Sequence, residues 1–127
     1  MHELKTILEE FSSRIDQFIA CDVVNITTGM TLANVSADPN FDASLASAVY
    51  AEVVKANRRA LDLLGVGADS CEDILITTDN VLLLMRMLGS DHYLGLAIGQ
   101  KGTLGMARAI MRKFEAGLLA VVSELHA

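Results

Sequence analysis

Leu4, Ile7, Leu8, Phe11 and Ile15 recur at spacings of three and four, while Glu3, Lys5, Glu9, Glu10, Ser13 and Arg14 fill the other side. That period predicts an amphipathic first helix with one face on a core, and Glu10 and Arg14 stand four apart, placed for an ion pair. The pattern then changes. Phe18 to Asn25 is β-branched or apolar enough for a strand, Ile26-Thr27-Thr28-Gly29 supplies turn chemistry, and Met30 to Val35 reads as a second strand, which makes a hairpin. In the loop from Ser36 to Asp42, either Asp38, before Pro39, or Asp42 can serve as the N-cap of the next helix. This helix extends to about Leu64 and stops at Gly65-Val66-Gly67. It carries two apolar stripes side by side, Leu45, Val49, Val53, Ala56, Ala60 and Leu64 in one, Ala46, Tyr50, Val54 and Leu61 in the other. An arc this wide can pack on a sheet and on something else as well, although a helix sunk into a large core shows the same pattern.

Glu72 to Thr78 is strand-like, Asp79-Asn80 is a two-residue loop, Val81 to Leu88 is a further strand, Gly89-Ser90-Asp91 turns the chain again, and His92 to Ile98 is the last strand. Three strands joined by such short loops form an antiparallel meander. Val81-Leu82-Leu83-Leu84-Met85 lacks alternation, as a central strand covered on both faces would. After Gly99-Gln100-Lys101-Gly102, Thr103 can cap a last helix whose apolar residues, Leu104, Ala107, Met111, Phe114, Leu118, Val121 and Leu125, alternate strictly at three and four. Arg108, Arg112 and Glu115 mark its solvent side, with Arg112 and Glu115 three apart. The order α-β-β-α-β-β-β-α, without linker or repeat, predicts one α+β layer sandwich over residues 1–127, helices against one antiparallel sheet.

Composition sharpens this picture. Apolar residues make up 52% and charged residues 20% of the chain, fewer charges than the roughly 25% of ordinary domains, which fits either a helix-rich, Leu- and Ala-rich sequence or a face partly buried by a partner. The net charge of −6 argues against a nucleic-acid binder, which needs clustered Lys and Arg to displace counterions. No apolar run approaches the length of a membrane span, the longest being Val81 to Met85 before Arg86. Met1-His2-Glu3-Leu4-Lys5 shows no signal-peptide pattern, and a cytoplasmic protein is expected.

Catalytic chemistry is hard to find. Cys21 and Cys71, fifty positions apart with no CxxC, are read as reduced, buried thiols. His2, His92 and His126 have no metal-ligand spacing, and neither a metal nor another cofactor is expected. Gly99 to Gly105 lies where phosphate loops lie, but Lys101 precedes Gly102 instead of following a glycine into Ser or Thr, so the segment reads as a tight strand-to-helix turn. There is no GxSxG elbow and no Cys-His-Asn set. Asp22 is the one odd acid, inside a predicted strand, and is expected at an exposed position on the pleat. Arg58-Arg59 reads as a solvated face near the negative end of its helix, or as a contact for an acidic partner. The chain is not expected to be an enzyme.

In element order, and in the stretches Val23 to Ala33, Ser44 to Ala56 and above all Ile74 to Leu118, the chain resembles the Roadblock family of dynein-light-chain-related proteins, which includes bacterial regulators of a gliding-motility GTPase. The resemblance implies a five-stranded antiparallel sheet, similar to profilin and longin domains, with the second helix on one face and the first and last on the other. It implies a homodimer or heterodimer in which third strands pair and second helices lie side by side, placing Tyr50, Val54, Asn57, Leu61, Asp73, Leu75 and Thr77 at the seam. It also implies a regulatory module for a small Ras-like GTPase, which docks through the second helix without a donated catalytic arginine, with Glu52, Lys55, Arg58 and Arg59 as the contact. The alternative is a scaffold or adaptor for a sensor kinase or motor-like assembly, with no effect on GTP hydrolysis.

Overall fold

The computed structural model describes residues 2–125, so Met1 and His126 lie outside the described residues. The elements follow the expected order: α1 (His2–Ser13), β1 (Phe18–Asn25), β2 (Thr31–Ser36), α2 (Ser44–Leu63), a 3-10 turn (Ala68–Ser70), β3 (Asp73–Thr77), β4 (Val81–Leu88), β5 (His92–Gly99) and α3 (Leu104–Leu125). The strands form one antiparallel sheet in the order β2-β1-β5-β4-β3. Closing the sheet by pairing β1 with β5 makes β2 and β3 its edges.

Strand alternation divides the interior in two. Leu82, Leu84 and Leu88 of β4 and Leu94, Leu96 and Ile98 of β5 turn to one face, where they pack with Leu4, Leu8 and Phe11 of α1 and Met111 and Leu118 of α3. Phe11 and Phe114 meet edge to face, ring centroids 5.5 Å apart. Arg14 bonds Glu10 at 2.9 Å, as the spacing suggested, and lies over the Phe114 ring. The other face holds a smaller cluster, Val24, Ile26, Met85 and Tyr93 under Ala51 and Val54 of α2. A strand without alternation is the natural result for β4, which has a helix layer on each side.

Two charged side chains of the expected solvent side behave differently from that expectation. Arg108 donates two hydrogen bonds of 3.0 Å to the Asp73 carboxylate, a fork that ties α3 to the edge strand β3. Glu115 does not pair with Arg112; it accepts a 2.8 Å bond from Nε of Arg86, a β4 residue buried to 8% exposure. The partner 29 positions away wins because Arg86 must be satisfied inside the core, whereas Arg112 is solvated. Glu115→Ala is therefore expected to cost about 1–3 kcal/mol in urea unfolding, the penalty for a buried donor left without its acceptor. A loss within error would mean that water reaches Arg86.

Among the described residues no helix is long and apolar enough to cross a membrane. Nor do three His, Cys, Asp or Glu side chains converge there as metal ligands.

Candidate interaction surface

The second helix begins after Ala43, which occupies the N-cap position without a side-chain cap. Neither aspartate caps it: Asp42 accepts from the Ser44 N–H at 2.9 Å and Asp38 from the Asn40 N–H at 2.9 Å, local turns that precede the helix. The helix lies on the sheet through Ser47, Ala51 and Val54, the first two small enough to bring the backbone close. Tyr93 Oη donates to the Ser47 carbonyl at 2.9 Å and fixes that approach. Val54, assigned to the dimer seam from the sequence, is 1% exposed inside the protomer and offers no side-chain surface to a second chain.

The opposite side of α2 is an uncovered apolar stripe. Leu45 is 86% exposed, Val49 64%, Val53 37% and Leu64 73%, with Leu63 beside them at 89%. The two sequence stripes thus divide: Tyr50 and Val54 turn toward the sheet, and Leu45, Val49, Val53 and Leu64 face solvent.

Charged and polar residues flank the stripe. On one side Glu52, Lys55 and Arg59 follow at spacings of three and four; Lys55 reaches Glu52 at 3.3 Å and the Thr27 carbonyl at 3.3 Å, next to the β1–β2 turn. Arg59 is exposed, whereas Arg58 is half-buried, with Nε enclosed and without a hydrogen-bond partner among the described residues. On the other side Asn57 and Leu61 turn toward β3, Asn57 donating to Sγ of Cys71 at 3.5 Å. Cys71 is half-buried rather than fully enclosed; Cys21 is buried, which pushes its thiol up to about 12, and both are free.

β3 pairs with β4 alone, so its other backbone edge is bare. A groove of about 680 Å³ follows that edge between Asn57 and Leu61 of α2, Ile74 of β3, and Arg108 and Arg112 of α3. Asp73, Leu75 and Thr77 share the face of β3 toward α3: Asp73 is held by Arg108, Leu75 packs on the larger core and Thr77 is exposed. What β3 presents sideways is main chain.

Asp22 departs most from its expected place. It is 8% exposed, beneath α2, and accepts hydrogen bonds from Ser47 Oγ and the Gly95 N–H. Burial raises its pKa above the ordinary carboxyl value, against the lowering effect of those two donors. A carboxyl raised in the folded state stabilises the protein below its unfolded pKa, near 4, and that contribution is lost as pH rises through the folded value. Wild type should accordingly lose melting temperature relative to Asp22→Asn as pH rises from about 4 to 7. Cys21 and Tyr93, both pushed up by burial, stay neutral over that range. Parallel melting curves for the two proteins would show that Asp22 is solvated.

No family model matches the chain, and no curated protein is similar to it in sequence. Solved structures are similar in shape. MglB of Myxococcus xanthus superposes with a TM-score of 0.86 at 16% identity, over 98% of this chain and 90% of that one. A Roadblock/LC7 domain from Streptomyces avermitilis gives 0.84 at 15% identity, over 95% and 98%. MglC of Myxococcus xanthus gives 0.65 at 24% identity, over 93% and 98%. At such identities the likeness establishes a Roadblock fold.

Proposed function

We propose that this chain, built on the Roadblock fold, is a non-enzymatic interaction module that self-associates and binds a small Ras-like GTPase, modulating its activity. The observation that carries this reading is the uncovered apolar stripe of α2 lying next to the bare edge of β3. A second copy applied there would extend the sheet by main-chain hydrogen bonds and cover the stripe helix to helix, removing two liabilities with one symmetric contact. Leu45, Val49, Val53, Asn57 and Leu61 form the helical part of that seam, with the main chain of Asp73, Leu75 and Thr77 as the strand part.

Glu52, Lys55 and Arg59 border the seam and remain accessible beside it, and Arg58 has an enclosed Nε without a partner. This charged flank is the proposed GTPase contact. It offers complementary charge more than buried area, so it should act on encounter and register. Titrating a purified Ras-like GTPase from the same genome, loaded with GDP or a GTP analogue, tests the reading. Binding should depend on the nucleotide and weaken about tenfold in Lys55→Glu/Arg59→Glu, and the hydrolysis rate should change when the module is added. Binding indifferent to nucleotide, with an unaltered rate, would instead favour a scaffold, and no binding in either state would overturn the GTPase reading.

A further inference from the structure

Independently of that surface, the face of the sheet under α2 contains a cavity. The β2 strand carries a bulge where its pairing with β1 shifts, Val24 opposite Thr31 but Val23 opposite Ala33. One extra residue reverses the alternation. Thr31 on one side of the bulge and Asn34 and Ser36 on the other therefore share the α2 face, as the partners of Val24, Asp22 and Ala20. The adjoining rows are built from small residues: Ala20 pairs with Ala97, and Asp22 with Gly95. The helix above contributes Ala46 and Ser47. Small side chains on floor and roof leave a space of about 240 Å³ that opens to solvent past the exposed Asn34, Phe41, Ser44 and Ala46.

The polar groups of this space are unbalanced. Asp22 stands in its wall, and none of the lining residues is Lys, Arg or His. Thr31 Oγ1 and Ser36 Oγ, in the same wall, are enclosed and have no hydrogen-bond partner among the described residues. Buried hydroxyls are ordinarily paired, and a buried carboxylate ordinarily has a counter-charge. Leu83, Leu84, Met85 and Leu96 supply the apolar part of the wall, and Asn34, Ser44 and Tyr50 add further polar groups to it. An anion would meet Asp22 without compensation, and a hydrocarbon would leave the carboxylate without a counter-charge. A small cation on an apolar body meets each requirement: an ammonium has three donors and no acceptor.

We propose that this cavity binds a small primary ammonium carried on a compact apolar body, with the Asp22 carboxylate as counter-ion. The space is larger than the roughly 150 Å³ that takes a benzene ring, which sets the ligand at about nine or ten non-hydrogen atoms.

The test is an NMR titration of the whole chain with 2-phenylethylammonium, alongside 2-phenylethanol and phenylacetate as its neutral and anionic counterparts. The ammonium should saturate, with shifts confined to β1, β2, β4, β5 and the start of α2 with the residues just before it, and bind about tenfold or more tightly than the alcohol, as charge-assisted pairing requires. Phenylacetate should give no saturation. Asp22→Asn should lower ammonium affinity about tenfold or more and leave the alcohol unchanged. Ala97→Leu, which fills the floor, should abolish binding of both, with its melting curve showing that the chain is folded. Equal affinity for ammonium and alcohol, no saturable binding, or ammonium binding that survives Ala97→Leu would each overturn the assignment.

Discussion

Val49→Arg is expected to leave the protein folded and to reduce the solution mass from that of the proposed dimer, twice 13.6 kDa, to 13.6 kDa, whereas Val54→Arg, five residues further along the same helix, is expected to abolish folding. The contrast follows from exposure alone. Val49 is 64% exposed, so in a single protomer its arginine would remain in water and alter stability by no more than about 0.5 kcal/mol. Across a symmetric seam each arginine would be buried against the partner's apolar stripe. Val54 is 1% exposed among Val24, Ile26, Met85 and Tyr93. A guanidinium there has no counter-charge within the cluster, and an unpaired buried charge costs more than about 4 kcal/mol, much of the stability of a domain this size. Light scattering and thermal melting on the two variants separate the outcomes. A folded dimer of Val49→Arg would remove the α2 stripe from the seam and leave the edge of β3 as the site of any association.

How much of this was visible in the sequence depends on the range of the interaction involved. Where neighbours along the chain decide, local pattern suffices: the bounds of β1 and β4, the turn at Gly89 with φ of +63°, the period of α3 and the Glu10–Arg14 pair all follow from it. Where a distant residue decides, the sequence pattern misled. Asp22 in a strand reads as solvent-facing until Ser47, 25 positions away, is found to supply its donor. Glu115 has Arg112 within reach on its own helix and takes Arg86 from the sheet instead. The two stripes of α2 are equally apolar by composition. Which one turns inward is set by how close the backbone can approach β5, and hence by Ser47, Ala51 and the Tyr93 hydroxyl. The bulge in β2 leaves no mark in the alternation of Thr31-Leu32-Ala33-Asn34, because both faces of that strand are partly covered.

Gly95→Ala is expected to destabilise the protein by about 3 kcal/mol, at the upper end of what a single added methyl costs in a core. Gly95 sits opposite Asp22 across the β1–β5 ladder, and a Cβ at that position would overlap the Asp22 carboxylate while standing 3.2 Å from the Tyr93 ring. Neither neighbour can yield readily: the carboxylate is held by Ser47, and the tyrosine by its bond to the Ser47 carbonyl. The glycine is thus required for space, since its φ does not lie in the left-handed region. If that is the reason, removing the obstruction should relieve the damage. Asp22→Ala alone loses its bonds to Ser47 and Gly95 and should cost about 1–3 kcal/mol, yet Asp22→Ala/Gly95→Ala should be less destabilised than the two single costs added together, by about 2 kcal/mol. Urea unfolding of the four proteins measures the coupling. Strict additivity would mean that Gly95 and Asp22 do not share this space, and the geometry that buries the carboxyl beneath α2 would have to be abandoned together with the cavity built around it.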